Sequence, residues 1–479
     1  MSDGLLRLPE RRPVRTLLAI GLLFVLAYSA AAIVARKPGG RIIIGDAVYY
    51  YVYVRSMVFD RDMQFRNEYV RLFGLTGGEE GTEWVYRPTA TGHARNMMAI
   101  GPSLVWTPLY LLVTGSVALA RAFGATYPLD GYGLVFQASA GISGILAATV
   151  GACLTWGLCR RFFGPRTAIW STLGVWLGSN AVYYSAISPA YAHSSSMLAV
   201  SAFCYVWATS VDRQTPGRYA LVGGLAGLAA LVRWQDAVFL IAPFTEAVSH
   251  ALAPLHRSAG LSATGPGTRP SGSAALTTAR RWRVAAINLL ACGITALVAF
   301  SPQIWAWMVI YGRPLAVPQG SQFMQWTRPN LLSTLFSDNH GLLTWTPLLA
   351  ACVIGLVPLW RRKQELAIGL TAALVASWYV NAAVIDWWAG EAYGSRRFVS
   401  CFPIFVLGLG ALIDALKARL GRLVTLVSVF VSLNFLLLLQ YQVFMHGWTT
   451  IAPYPRGFYG LVVARFVVPF KLIAQLWNP

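Results

Sequence analysis

The sequence predicts an all-α membrane protein of about eleven transmembrane helices, with interfacial helices in a long first periplasmic loop. Three observations predict it. Of 479 residues, 56% are hydrophobic and only 12% charged, and the mean hydropathy is +0.55, which is more apolar surface than a soluble domain hides. Apolar runs of bilayer-crossing length recur along the chain. The basic residues behind the net charge of +20 stand in short clusters flanking those runs. That is the pattern of cytoplasmic loops, not the continuous stripe of a nucleic-acid surface, and nucleic acid is not expected as a partner. The six cysteines lie in or beside apolar segments with no CxxC pair, which argues against a disulfide framework or a zinc site.

The first run, 16–35, follows Arg7, Arg11, Arg12 and Arg15. Its small residues at 29–32 suit a signal-peptidase site, but its length suits a span, and it is taken as the first helix, starting in the cytoplasm. The apolar stretch 97–120 is the hard case. Counted as a span, it would leave Arg160, Arg161 and Arg166 on the outer face, against the positive-inside rule. It also holds Pro102, Pro108, Trp106 and Tyr110, so it is expected to lie on or dip into the outer leaflet. Residues 36–130 then form the first periplasmic loop.

The second span, 131–158, runs inward, and Arg166 opens the third. The fourth, 191–210, ends at Asp212 and Arg213, and Arg218 opens the fifth. The fifth and sixth pair around Arg233 to Asp236, and residues 251–283, rich in Ser, Gly, Thr, Pro and Arg, read as a flexible cytoplasmic linker. Spans at 284–310, 342–359, 366–385, 399–416 and 423–445 follow, with basic clusters at 361–363 and 417–422 on the inner side. Residues 446–479 are a periplasmic tail, expected along the outer interface. The chain, 1–479, reads as one membrane domain.

The polar residues outside the basic clusters gather in segments assigned to the outer face, the layout of a one-sided active site. In RIIIGDAVYYYVYVR, Asp46 follows Gly45, and a carboxylate there can take a proton from a sugar hydroxyl or cap the helix that follows; the two roles can coexist. Asp60 and Asp62 form a DxD that can bind a divalent cation or simply make a solvated turn. Asn67, Glu68, Tyr50, His93, Glu391 and Tyr393 are candidates for sugar or acceptor contact. Arg396 and Arg397, at headgroup level, and Arg233 are candidates for a phosphate, through bidentate guanidinium bonds. Their bland alternatives are headgroup contact and, for Arg233, a salt bridge to Asp236.

The pattern resembles the GT-C class of membrane glycosyltransferases, which includes the protein O-mannosyltransferases and the bacterial aminoarabinose and arabinosyl transferases. It rests on GD at 45–46, NMMAIGPSLVWTPLYLL at 96–112, SDNHGLLTWTPLLA at 337–350 and EAYGSRRFV at 391–399. The resemblance implies a polyprenyl-phosphate-linked sugar donor, a glycan, lipid or protein acceptor, a site on the periplasmic side of a bacterial inner membrane and inverting transfer. Asp46 matches the catalytic acid of the first loop, and no cofactor is required. The family often carries a second acid beside it, where this chain has Ala47. The rival functions are a lipid or polysaccharide transporter or flippase, which places polar residues midway through several helices, and a non-catalytic assembly protein, which tolerates loss of Asp46.

Overall fold

The computed structural model describes residues 8–34, 40–73, 83–261, 272–417 and 419–477. In chain order its main helices are α1 (Pro13–Val34), α2 (Asp46–Arg55), α3 (Arg66–Phe73), α4 (Gly101–Ala122), α5 (Leu134–Phe162), α6 (Pro165–Leu177), α7 (Ala181–Ala186), α8 (Ala192–Thr209), α9 (Pro216–Val232), α10 (Ile241–Leu261), α11 (Gly272–Tyr311), α12 (Leu348–Ile354), α13 (Leu356–Arg362), α14 (Gln364–Ala382), α15 (Phe402–Ala415), α16 (Leu420–Met445) and α17 (Ala464–Trp477), joined by loops and shorter helical turns. No β-strand forms among the described residues; an isolated bridge joins Met324 and Val384.

Two opposite faces organise the bundle. On one, Glu10 accepts from Arg166 at 3.0 Å, Arg362 pairs with Asp414, and the same Arg362 lies over Phe163. The start of α1, the end of α5 and the ends of α13 and α15 therefore share this basic face. The other face carries Asp46. Along the sides, Leu18, Leu22, Leu23 and Leu26 of α1 and Leu290, Leu297 and Val298 of α11 are each more than half exposed. A belt of that kind is stable in lipid and costly in water. Helices pack closely where side chains are small: Gly223 and Gly227 of α9 lie against the backbone of Cys292 and Ala296 of α11, with no room for a Cβ.

Seven helices among the described residues are long and apolar enough to cross a membrane, and the protein is an all-α membrane protein. Of the other expected crossings, the fourth, fifth and sixth form α8 (18 residues), α9 (17 residues) and α10 (21 residues), which are not among the seven, and two are interrupted. The third is split into α6 and α7, and Asn434 Nδ2 donates to the carbonyls of Leu177 and Ser179, each at 2.9 Å, satisfying groups that the break exposes. The crossing expected at 342–359 is split at Gly355 into α12 and α13, where Gly355 presses on the carbonyl of Gly408.

The stretch expected to be interfacial forms one 22-residue helix, α4, which by length and apolarity is among the seven. Its contacts are lopsided, however. At its start, Ile100 N–H donates to Gln303, about two turns before the end of α11; nearly three turns later, Tyr110 Oη donates to the carbonyl of Gly131, just before α5. Both points belong to the face that carries Asp46.

One segment differs from expectation. Of the linker 251–283, residues 262–271 lie outside the described residues, and its flanks are helical, closing α10 and opening α11. The tail packs on the bundle: Gln440 Nε2 donates to the carbonyls of Pro453 and Gly460, and Arg465 reaches the carbonyl of Leu433, so α17 runs back along α16. Burial of Leu461, Ala464 and Val468 favours that return.

Candidate active site

The site is built around the turn into α2. Gly45 has φ +56°, a left-handed conformation, and a Cβ on it would stand 2.6 Å from the Tyr191 hydroxyl. Only glycine meets both conditions without strain. Gly45 occupies the cap position, and no side-chain hydrogen bond caps the helix; the free amides of Ala47 and Val48 donate to the carbonyls of Ile44 and Gly45. The capping role weighed for Asp46 is therefore not the one it takes. Its carboxylate turns to Arg396, Oδ2 to guanidinium nitrogen 2.8 Å.

The framework behind Asp46 is rigid. Gln137 Oε1 accepts from the amides of Ile42 and Ile43 at 3.0 and 3.2 Å, Asn96 Nδ2 donates to the carbonyl of Tyr49 at 2.8 Å, and Ser103 Oγ donates to that of Tyr50. The four tyrosines of the YYYVY run are buried, each ring against another aromatic ring. The aromatic run thus forms a helix sealed into the protein.

A cavity of about 90 Å³ opens at Asp46, lined by Tyr50, Met97, Met98, His193, Arg233, Trp234, Gln319, Phe323, Arg396 and Arg397 among others. Segments far apart in sequence meet in it. Arg396 also lies over the Tyr191 ring, 5.5 Å from its centroid, a cation–π contact. Arg397 donates to the Asp386 carbonyl at 2.7 Å and to its carboxylate at 2.8 Å, so its fork braces the loop before α15. Arg233 donates to the Arg397 carbonyl at 3.2 Å and makes no salt bridge among the described residues. Its expected partner, Asp236, instead accepts from Ser196 and Ser400.

Of the residues expected at the site, Asp46, Tyr50, Arg233, Arg396 and Arg397 line this cavity, and the rest do not. Glu68 is fully buried in a separate cluster, 3.0 Å from Arg55, which also pairs with Asp60 and lies over Tyr132. Burial pushes the Glu68 carboxyl up to about 7 although the Arg55 guanidinium pulls the other way. Asn67 donates to Asp60 at 2.7 Å. The DxD carboxylates thus turn to different partners, Asp60 to Arg55 and Asn67, Asp62 to Ser56 Oγ at 2.6 Å and the Gln64 amide at 3.1 Å. Among the described residues no group of three or more His, Cys, Asp or Glu side chains stands ready to hold a metal. His93 bonds Thr91 in an outer turn. Glu391 is exposed, and Tyr393 is buried against Trp345 and Tyr441 with its hydroxyl on Asn434.

Sequence reasoning missed His193, Tyr191, Gln319 and Asp386. His193 opens α8 in YAHSSS, at the Asp46 end of an apolar run, and that placement was the available signal. It also missed a buried network near the basic face: Arg218 holds Glu246 at 2.6 and 3.0 Å, joined by Trp207 at 2.8 Å and Gln214 at 2.6 Å. Arg218 and Glu246 sit on different helices, and no local pattern reports such a pairing.

No family model matches the chain, and no curated protein matches it.

Proposed function

We propose that the chain is a membrane glycosyltransferase that moves a sugar from a polyprenyl-phosphate donor to an acceptor hydroxyl, with the Asp46 cavity as its active site, facing the periplasm across a bacterial inner membrane in an eleven-span arrangement. What carries the proposal is one carboxylate and three guanidinium groups converging from three distant places in the chain on a single cavity among apolar helices. The resemblance at 45–46, 96–112, 337–350 and 391–399 supplies the chemistry to test.

The donor's isoprenoid tail lies between helices, so the membrane delivers it. Its phosphate meets Arg396 and Arg233, while Arg397 stays on Asp386 and holds the loop. A carboxylate bonded to a guanidinium is a poor base. When phosphate takes over the Arg396 hydrogen bonds, the Asp46 carboxylate is released toward the acceptor. The acceptor oxygen then attacks the anomeric carbon and its proton passes to Asp46, while the bond from carbon to phosphate oxygen breaks and its electron pair leaves with the lipid phosphate. That leaving group is weakly basic, so it needs the positive charge of Arg396 and Arg233 more than a proton donor. Inversion at the anomeric carbon follows from the single displacement.

The test is transfer by the purified chain in nanodiscs, offered a panel of polyprenyl-phosphate sugars and a membrane extract as acceptor source. Wild type transfers sugar from at least one donor, and Asp46→Asn loses about 10²- to 10⁴-fold. No transfer by wild type from any donor, or an unchanged Asp46→Asn rate, overturns the proposal.

A further inference from the structure

The cavity holds a fifth polar group that the mechanism above does not use. His193 stands at the first turn of α8, 5% exposed, and its ring lines the cavity beside Asp46, Arg233 and Arg396. Its Nδ1 is buried and has no hydrogen-bond partner among the described residues. Buried polar atoms are nearly always paired, so an orphan on a residue that lines a cavity points to a set that a ligand completes.

The ring is held by aromatic neighbours. Tyr191 lies nearly parallel to it, centroids 6.4 Å apart and planes within 14°, and Tyr184 lies tilted against it at 4.6 Å. Tyr191 also lies under the Arg396 guanidinium, 5.5 Å from the ring centroid. Tyr191 thus contacts both the Arg396 guanidinium and the His193 ring. The positive groups of Arg233, Arg396 and Arg397 all act on the ring. A ligand that satisfies an imidazole N–H amid three guanidinium groups is an anion with several acceptor oxygens.

Resting on the glycosyltransferase proposal, we infer that His193 is a phosphate-binding residue of this site, its Nδ1–H donating to a non-bridging oxygen of the lipid phosphate that Arg396 and Arg233 hold. It reads the phosphate and leaves the sugar and the tail to other contacts.

The experiment compares binding of a polyprenyl phosphate and of the uncharged polyprenol of the same length to the full chain in nanodiscs. Wild type prefers the phosphate. His193→Phe keeps a flat ring between the tyrosines but has no N–H, and it loses about tenfold in phosphate affinity with polyprenol binding unchanged. His193→Asn places an amide N–H near the Nδ1 position and retains most of the preference. If Phe retains the preference, or if Asn loses as much as Phe, His193 serves packing alone and the inference is overturned while the glycosyltransferase proposal stands. If wild type binds both lipids equally, the anion site itself fails, and the proposal with it. A second measurement needs no substitution at the ring to fold: with ring-¹⁵N histidine, the resonance missing from the His193→Asn spectrum shifts on adding polyprenyl phosphate and stays fixed on adding polyprenol. An unmoved resonance overturns the inference.

Discussion

Asp46 and Arg396, 350 positions apart, meet at 2.8 Å, and neither has its usual surroundings: the acid is the first residue of a sealed helix and the base lies over the Tyr191 ring. The pair is part of one unit, so substitutions in it do not add. Asp46→Asn and Arg396→Gln each lower thermal stability in detergent, because each leaves a partly buried charge alone. The double variant falls short of the sum by a coupling of roughly 0.5–3 kcal/mol. Arg396→Lys does not restore lipid-phosphate affinity, since an ammonium lacks the planar fork that both Tyr191 and a phosphate require. Additive single variants, or a fully active Arg396→Lys, would show that the two side chains act separately.

Gly45 is constrained by its own backbone and by its neighbour alike. Its positive φ and the Tyr191 hydroxyl 2.6 Å from its missing Cβ oppose any side chain twice over. Gly45→Ala is expected to cost about 1–3 kcal/mol and to displace the Asp46 carboxylate. Adding Tyr191→Phe removes the obstructing oxygen but leaves the backbone strain, so it recovers part of the loss and not all of it. Measured unfolding midpoints for the single and double variants decide; full recovery would assign the whole cost to the clash.

The helical membrane class was legible because hydropathy and the placement of basic residues are properties of local sequence. The assignment of 97–120 rested on Arg160, Arg161 and Arg166, and the structure sets Arg166 against Glu10 beside the start of α1. Asp46, Arg396 and Arg233 were legible as charges at the mouths of apolar runs. Glu68 was misplaced for a reason of the same kind: it is equally charged and equally near in sequence, but α3 turns it into the protein against Arg55. Direction of a side chain on a short helix depends on what packs beside it. Gln319 and Asp386 were invisible because they act through loop geometry, and His193 offered only its place at the end of an apolar run, since a lone histidine carries no pattern.

The cavity is smaller than the roughly 300 Å³ at which small-molecule pockets begin, so under the proposed function a donor sugar enters only when its wall moves. Gln319 Nε2 donates to the Met97 carbonyl at 2.9 Å and ties the loop after α11 to the segment before α4. The other end of that loop is fastened more firmly, by Gln325 N–H on the Ala383 carbonyl, Asn330 N–H on Ala382 and Ile385 N–H on Phe323. Opening therefore begins at Gln319. Gln319→Ala is expected to speed amide exchange at 97–99 and 316–323 severalfold and leave 325–330 unchanged. Equal exchange in both segments would place the moving part elsewhere.

The Glu68 cluster gives the outer loop a pH dependence of definite sign. Burial lifts the folded-state carboxyl to about 7 from an ordinary value of 4.5, so between these values the folded protein holds a proton that the unfolded chain has released. The contribution to stability is complete below about pH 4.5 and is lost as pH rises to about 7. Arg55 softens the loss, because the ionised carboxylate meets a guanidinium at 3.0 Å, and Asp60 on the same guanidinium limits that relief. Glu68→Gln keeps the shape and removes the titration. The unfolding midpoint of wild type relative to Glu68→Gln is therefore highest near pH 5 and falls steadily toward pH 7.5, where the curve flattens. A difference that rises with pH would mean that Glu68 is ionised throughout and that the Arg55 pair outweighs burial. In that case loss of the carboxylate would be most damaging at neutral pH, and the loop between α2 and α4 would depend on a charged brace in place of a protonated one.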